Sequence, residues 1–292
     1  MSTWSQTFTF LDGEWFEGNP PIAGPRTHAF WLGSSVFDGA RAFDGVTPDL
    51  DRHCARLNRS AGTMWLKPTM SDEAITELAR EGVKKFKPGA ELYIRPMYWA
   101  EHSAPTSSVP PDPESTRFCL CIYEAPLPPL TGVAITRSMY AKPLALTMPI
   151  EAKAGCLYPN NARALMEART RGFDNCLLCD MLGNVAELAT ANVFLAKDGV
   201  VMTPMANGTF LNGVTRQRVL QLLRTDGADA REATLGFADF DEADEIFVVG
   251  KYGKVTPVRR IDGRNLQPGP FFHRARELYW DFAHSALNHA AQ

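Results

Sequence analysis

Lys153 stands in Glu151-Ala-Lys-Ala-Gly-Cys156, a lysine flanked by small residues. An amine that must condense with a carbonyl needs an uncrowded site and a lowered pKa, and small flanks leave room for a planar ligand. Most lysines are solvated surface groups, so this one acquires meaning only from its neighbours. Tyr158 follows shortly after, placed to hydrogen-bond a ring oxygen on such a ligand. Glu187 lies in Val185-Ala-Glu-Leu-Ala189, a carboxylate in an otherwise apolar run. On an edge strand it would face water; if buried it needs a positive partner, and a protonated ring nitrogen would serve. Leu211-Asn-Gly-Val-Thr215 precedes an amphipathic stretch. Gly213, Val214 and Thr215 therefore form either a phosphate cradle of backbone N–H groups and a hydroxyl, or a plain helix cap. Arg56 either completes that anion site or points to solvent.

The elements that must position these groups are legible from hydrophobic period. Thr7–Leu11 alternates as a strand, Asp12-Gly13 turns, and an aromatic-rich segment follows. Residues 36–43 read as extended. Helical spacing covers 50–66, which carries Arg56, and 71–86, where Ser71 suits an N-cap. Strands are expected at 92–99 and 118–123, with a Ser/Pro-rich loop over 103–115 between them. The prolines of Ala125-Pro-Leu-Pro-Pro-Leu-Thr-Gly132 exclude helix and central strand, which makes this a linker. Beyond it come a strand at 133–138, a helix at 162–171, a hairpin pairing 176–179 with 185–188, and a strand at 193–195. A helix at 215–223, a strand at 245–249 and a C-terminal helix from His273 complete the chain. Frequent hairpins among interleaved helices favour α+β architecture over regular βαβ winding. Two domains are expected, 1–124 and 134–292, joined by a linker at 125–133.

Bulk composition narrows the partners. The chain has 292 residues, 45% hydrophobic and 22% charged, with a net charge of −3. That is enough apolar material for a sizeable core, and the absence of a basic stripe argues against nucleic acid or an anionic membrane. The start, Met1-Ser-Thr-Trp, lacks the charged and apolar regions of a signal peptide, and no stretch has the length of a membrane span. A reducing cytoplasm is the expected compartment. Six cysteines in a chain of this length do not suggest a disulfide scaffold. The CxxC at Cys176 and Cys179 lacks a second ligand pair, so buried structural thiols are expected and no metal is assigned.

Several motifs occur in a fixed order: Gly33-Ser-Ser-Val-Phe-Asp-Gly-Ala-Arg-Ala-Phe43, Tyr93-Ile-Arg-Pro96, Ala152-Lys-Ala-Gly155, Glu187 through Asn192-Val-Phe194, Leu211-Asn-Gly-Val-Thr-Arg216 and Val255-Thr-Pro-Val258. Together they resemble the class IV aminotransferases, most closely the branched-chain amino acid aminotransferases, over nearly the whole chain. The resemblance implies a two-domain fold type IV enzyme, the D-amino acid aminotransferase-like class, acting as a homodimer with pyridoxal 5'-phosphate between its domains. Lys153 then matches the lysine that carries the cofactor, Tyr158 the phenol beside its ring oxygen, and Glu187 the partner of its ring nitrogen. Arg56 matches the phosphate-binding arginine, Gly213, Val214 and Thr215 the phosphate-binding helix start, and Leu211 the residue packed on the ring. Phe37, Gly39, Arg41, Tyr93 and Arg95 fall where the family builds its substrate pocket, with Tyr252 beside it.

The implied reaction is ping-pong transamination between an amino donor, a branched-chain L-amino acid, and a 2-oxo acid acceptor, 2-oxoglutarate. A D-amino acid aminotransferase, an (R)-selective amine transaminase and an aminodeoxychorismate lyase share the fold and remain open, as does a non-catalytic cofactor-binding protein. Arg41 and Arg95 favour an acid substrate over a simple amine. Departures from the family pattern are specific. Leu32 replaces a usual tyrosine, Cys156-Leu157 precedes Tyr158 where Gly-Asn is usual, and Gly250-Lys-Tyr-Gly253 replaces Gly-Thr-Ala-Ala. Lys251 there either pairs with the phosphate or points to solvent, and the loop at 101–112 differs from the family's pocket loop.

Overall fold

The structure, a computed structural model, describes residues 4–290, with side chains described to Ser285. Met1 to Thr3, where a signal segment would begin, lie outside the described residues. Contacts divide the chain into two units, and the division is discontinuous. The first unit runs to Pro126 and adds Ala152–Leu157; the second comprises Leu127–Glu151 and the chain from Tyr158 onward.

In the first unit, β1 (Thr7–Leu11), β2 (Glu14–Glu17), α1 (His28–Leu32), β3 (Ser35–Phe37), β4 (Ala40–Ala42), α2 (Leu50–Thr63), α3 (Asp72–Val83), β5 (Leu92–Ala100) and β6 (Thr116–Glu124) follow in order. They make an antiparallel sheet ordered β2-β1-β6-β5-β3, with β4 also on β5. Helices α2 and α3 cover one face. Val36, Ala40, Ile94, Leu120 and Ile122 point from the sheet into a core with Leu57 and Ile75 of α2 and α3. Each aliphatic side chain buried there contributes about 1.5–3 kcal/mol. Ser71 caps α3 as expected, its side chain accepting from Ala74 N–H at 3.2 Å, with Asp72 and Glu73 in the first turn. The α2 helix stops at Thr63 rather than 66, because Trp65 adopts a left-handed conformation at φ 57°.

In the second unit, β7 (Val133–Arg137), α4 (Tyr158–Thr170), β8 (Asn175–Cys179), β9 (Val185–Leu188), β10 (Asn192–Lys197), β11 (Val200–Pro204), α5 (Val214–Thr225), β12 (Ala230–Ala233), α6 (Phe237–Asp241), β13 (Glu245–Gly250), β14 (Lys254–Ile261), β15 (Arg264–Asn265) and α7 (Pro270–Ala290) follow. The sheet order is β12-β11-β10-β13-β14-β7-β8-β9, with β15 on β14. Strand β7 lies parallel to both its neighbours, whereas β8 and β9 form the expected antiparallel hairpin. Mixed pairing of this kind is the expected α+β class. Helix α4 begins earlier than the spacing suggested, because Pro159 is tolerated in a first helical turn where no intrahelical N–H is needed. All six cysteines are free, and among the described residues no cluster of His, Cys, Asp or Glu is placed to hold a metal.

Candidate active site

Lys153 is held in the first unit by its backbone. Ala154 bridges Val36 of β3, the Phe37 N–H donates to the Lys153 carbonyl at 3.1 Å, and the Lys153 N–H donates to Ser60 Oγ of α2 at 3.0 Å. The small flanks serve this docking. Ala152 and Ala154 are buried, and a Cβ at Gly155 would sit 2.7 Å from Ser35 Oγ. Room for a ligand is therefore only part of their role. The Lys153 ammonium lies 4.9 Å from the Phe37 ring centroid.

Cross-strand partners share a face of a sheet, and alternate residues of a strand share it too. Phe37 pairs with Met97, Arg41 with Tyr93, Tyr93 with Tyr123, and Arg95 with Cys121. Phe37, Arg41, Tyr93 and Arg95 thus project from the face opposite the core, and the Lys153 amine lies against Phe37 on that same face. Arg95 and Met97 are two residue steps apart on β5, about 7 Å along the sheet. Gly39 belongs to this cluster by necessity: a Cβ there would come within 2.3 Å of the Tyr93 hydroxyl. The Arg95 guanidinium carbon lies 4.9 Å from the Tyr93 ring centroid, and an Arg41 amino group donates to the Ala125 carbonyl.

Arg56, on α2, is locked by Asp38, a partner the sequence did not reveal. Asp38 is 0% exposed and accepts from Arg56 Nε at 2.7 Å and Nη2 at 2.9 Å, from His53 Nδ1 at 2.7 Å and from the Gly39 N–H at 2.7 Å. Burial works to raise the Asp38 pKa. The charges of Arg56 and His53, with their hydrogen bonds, overcome it and hold the carboxyl well below the usual carboxylate range. The orientation of Arg56 is therefore fixed by Asp38.

The second unit carries a separate cluster. Glu187 on β9 is 8% exposed, which decides between the two readings of the sequence in favour of burial. Its positive partner in the structure is Lys142, 6% exposed, whose Nζ donates to Glu187 Oε1 at 2.8 Å. Asn192 Nδ2 donates to Glu187 Oε2 at 3.1 Å and to the Leu211 carbonyl at 3.1 Å. Asn192 also faces Gly213, where a Cβ would meet its Oδ1 at 2.1 Å. One amide thus joins the carboxylate to the start of α5. Gly213 is the N-cap of α5 with no side-chain cap, and Val214 and Thr215 are buried behind it. The loop before the helix is braced by Arg216, which donates to Asn212 Oδ1 at 2.9 Å, the Pro204 carbonyl at 2.6 Å and Glu232 Oε1 at 2.7 Å.

Tyr158 opens α4. Lys251 and Tyr252 lie in the turn between β13 and β14, on the wall of a cavity of about 840 Å³ that Thr190 and Ala191 also line. Tyr252 is 64% exposed. Reading the sequence missed Lys142, Asp38 and Asn192. A signal for the first existed: Lys142 is the single charge in Tyr140-Ala-Lys-Pro-Leu-Ala-Leu146.

The first unit thus carries an amine and a guanidinium on one sheet face, and the second a buried carboxylate joined through Asn192 to an uncapped helix start. The family model described as amino-transferase class IV matches residues 35–261, and the chain belongs to that family. Relatives agree over nearly full length. A putative branched-chain-amino-acid aminotransferase of Methanocaldococcus jannaschii is 30% identical, covering 93% of this chain and 95% of its own. An aminotransferase of Brucella abortus, solved bound to the cofactor PLP, superposes with a TM-score of 0.94 at 53% identity, covering 96% of this chain and 99% of that one. The branched-chain aminotransferase of Thermoproteus uzoniensis, solved with norvaline, superposes with a TM-score of 0.86 at 29% identity, with 94% of each chain covered.

Proposed function

We propose that this chain is a pyridoxal 5'-phosphate-dependent aminotransferase that exchanges an amino group between a branched-chain L-amino acid and 2-oxoglutarate in two half-reactions. The observation that carries the reading is the shared face of the first unit's sheet, where the Lys153 amine and the Arg95 guanidinium both project. An amino acid needs those two functions, one for its amino group and one for a carboxylate.

The residues fit the cofactor. Gly213 lacks the side chain that would collide with Asn192, and the α5 start has no side-chain cap, so its N–H groups and the Thr215 hydroxyl suit a phosphate. When bound, the group supplies an aldehyde for an amine and a ring that draws electrons from the substrate Cα. Lys153 would carry it and, once released by the donor amine, take a proton at the substrate Cα as general base. Glu187, oriented by Lys142 and Asn192, would accept a hydrogen bond from the ring nitrogen and hold it protonated. Tyr158 would bond the ring oxygen, Leu211 pack on the ring, and Arg56 and Val214 join Thr215 around the phosphate. Lys251 would add charge there in place of the family's hydroxyl. Phe37, Gly39, Arg41, Tyr93, Arg95 and Tyr252 would shape the substrate pocket. Action as a homodimer in the cytoplasm belongs to the same proposal.

The branched-chain preference is supported by the names of the relatives. The test follows the visible absorbance of the lysine-bound cofactor during single half-reactions with L-leucine, L-valine, L-glutamate, D-amino acids and (R)-amines. Bleaching by the L-acids supports the proposal; bleaching by D-acids or (R)-amines alone overturns it. Lys153→Ala should abolish both the absorbance and turnover, and retention of both would remove the assignment of that residue.

A further inference from the structure

Tyr123, on β6, has no role in the reading so far. It pairs with Tyr93 across the sheet, on the face that carries Lys153, and the two ring centroids are 5.2 Å apart. The Arg95 guanidinium carbon lies 4.9 Å from the Tyr93 centroid and 5.2 Å from that of Tyr123, closing a triangle. An Arg95 Nη2 hydrogen bond to the Tyr123 hydroxyl fixes one side of it.

The donor count in this triangle is unbalanced. Tyr123 accepts from Arg95, and an accepting phenol still has its own proton to donate. Burial pushes the Tyr123 phenol upward, more than the nearby Arg95 charge draws it down, so the hydroxyl is protonated at neutral pH. The Arg95 Nε–H is buried without a hydrogen-bond partner, and among the described residues no carboxylate pairs with this guanidinium. Burial opposes the Arg95 charge, yet the flanking phenols outweigh it and raise the pKa, so the cation persists. A half-buried cation with a buried donor left unpaired and no acid paired with it suits an anion from outside.

We propose that Tyr123 is a specificity-determining residue: its hydroxyl and the Arg95 guanidinium form a single clamp that selects substrates bearing a carboxylate over their neutral isosteres. The clamp deepens the aminotransferase reading and rests on it for the class of ligand. Its selectivity comes from the phenolic hydroxyl as well as the guanidinium, because the phenol holds Arg95 in place and adds a donor of its own. A hydrogen bond to a charged group of this kind changes affinity by about tenfold to a hundredfold.

The experiment titrates the cofactor-loaded protein and its Tyr123→Phe variant with 4-methylpentanoate and with 4-methylpentanamide, the same skeleton without charge. The phenylalanine keeps the ring packing, and an unchanged melting temperature confirms the fold. Expected is a loss of about tenfold or more in affinity for the acid, with amide affinity within about twofold. The proposal is overturned if the acid also stays within about twofold, if acid and amide weaken in parallel, or if the parent protein does not prefer the acid. The half-reactions with amino acids report separately. A parent that prefers the acid yet takes an amino group from no amino acid keeps the clamp and loses the aminotransferase reading.

Discussion

A carboxylate as deeply buried as that of Glu187 is tolerated because Lys142 and Asn192 take one oxygen each. Desolvating two charges is expensive, so such a pair adds little net stability over an apolar replacement, but removing one member strands the other. Lys142→Met should therefore cost about 3–5 kcal/mol in chemical denaturation, and adding Glu187→Gln should recover much of that loss. A single variant as stable as the parent would show that the ion pair does not hold Glu187. In the sequence, Glu187 stood out as a charge in an apolar run, and burial was one of two open readings. Its partner was hidden because the two residues are 45 positions apart, beyond the reach of any local pattern. Arg56 and His53 were separately visible on α2, while the Asp38 that binds both lies outside the helix. Pairwise electrostatics of this kind become legible only once the chain has folded.

At the level of elements, sequence period located most of what positions the site. The α3 cap, the paired strands β5 and β6, and the β8–β9 hairpin all follow from alternation, capping and turn chemistry. Elements that break those patterns were missed. Strand β14 contains Pro257, and α1 has only five residues, too few for a period to register. The start of α5 was legible as a glycine-led N-terminus but not as a junction, because only the fold brings Asn192 against Gly213. A methyl group at that position cannot be accommodated without moving the amide, since its carbon would lie 2.1 Å from Asn192 Oδ1. Gly213→Ala should thus displace Asn192 from Glu187 and Leu211 and lower cofactor affinity by about tenfold, measured by reconstitution of the apoprotein. Asn192→Gly in the same chain should relieve the collision but not restore the two hydrogen bonds. Recovery of full affinity by the double variant would mean that the amide has no positioning role.

Across the whole molecule, the titratable groups whose folded environment differs most from water set the pH range of stability. Asp38 has a folded pKa far below the unfolded value of about 3.9, so its contribution is complete above that value and is lost progressively as the pH falls toward the folded pKa. The thiols act at the opposite end. Burial pushes Cys54 and Cys119 up to about 12, and Cys176 and Cys179 up to about 11. Groups raised in the folded state contribute fully below the unfolded thiol value of about 8.5, and that contribution drains away as the pH climbs toward the folded values. Stability should accordingly hold a plateau between about pH 4 and about pH 8.5 as far as these groups decide it, and fall on both sides. The two arms are separable by mutation. Asp38→Asn should lower the plateau and flatten the acid arm, because the charge partner of Arg56 is gone at every pH. Cys54→Ala with Cys119→Ala should flatten the alkaline arm while leaving the acid arm unchanged. Urea denaturation at a series of pH values measures both. An alkaline arm equally steep in the double cysteine variant would assign that loss to other groups, and native thiols that alkylate as fast as the unfolded ones would show that burial does not hold them protonated.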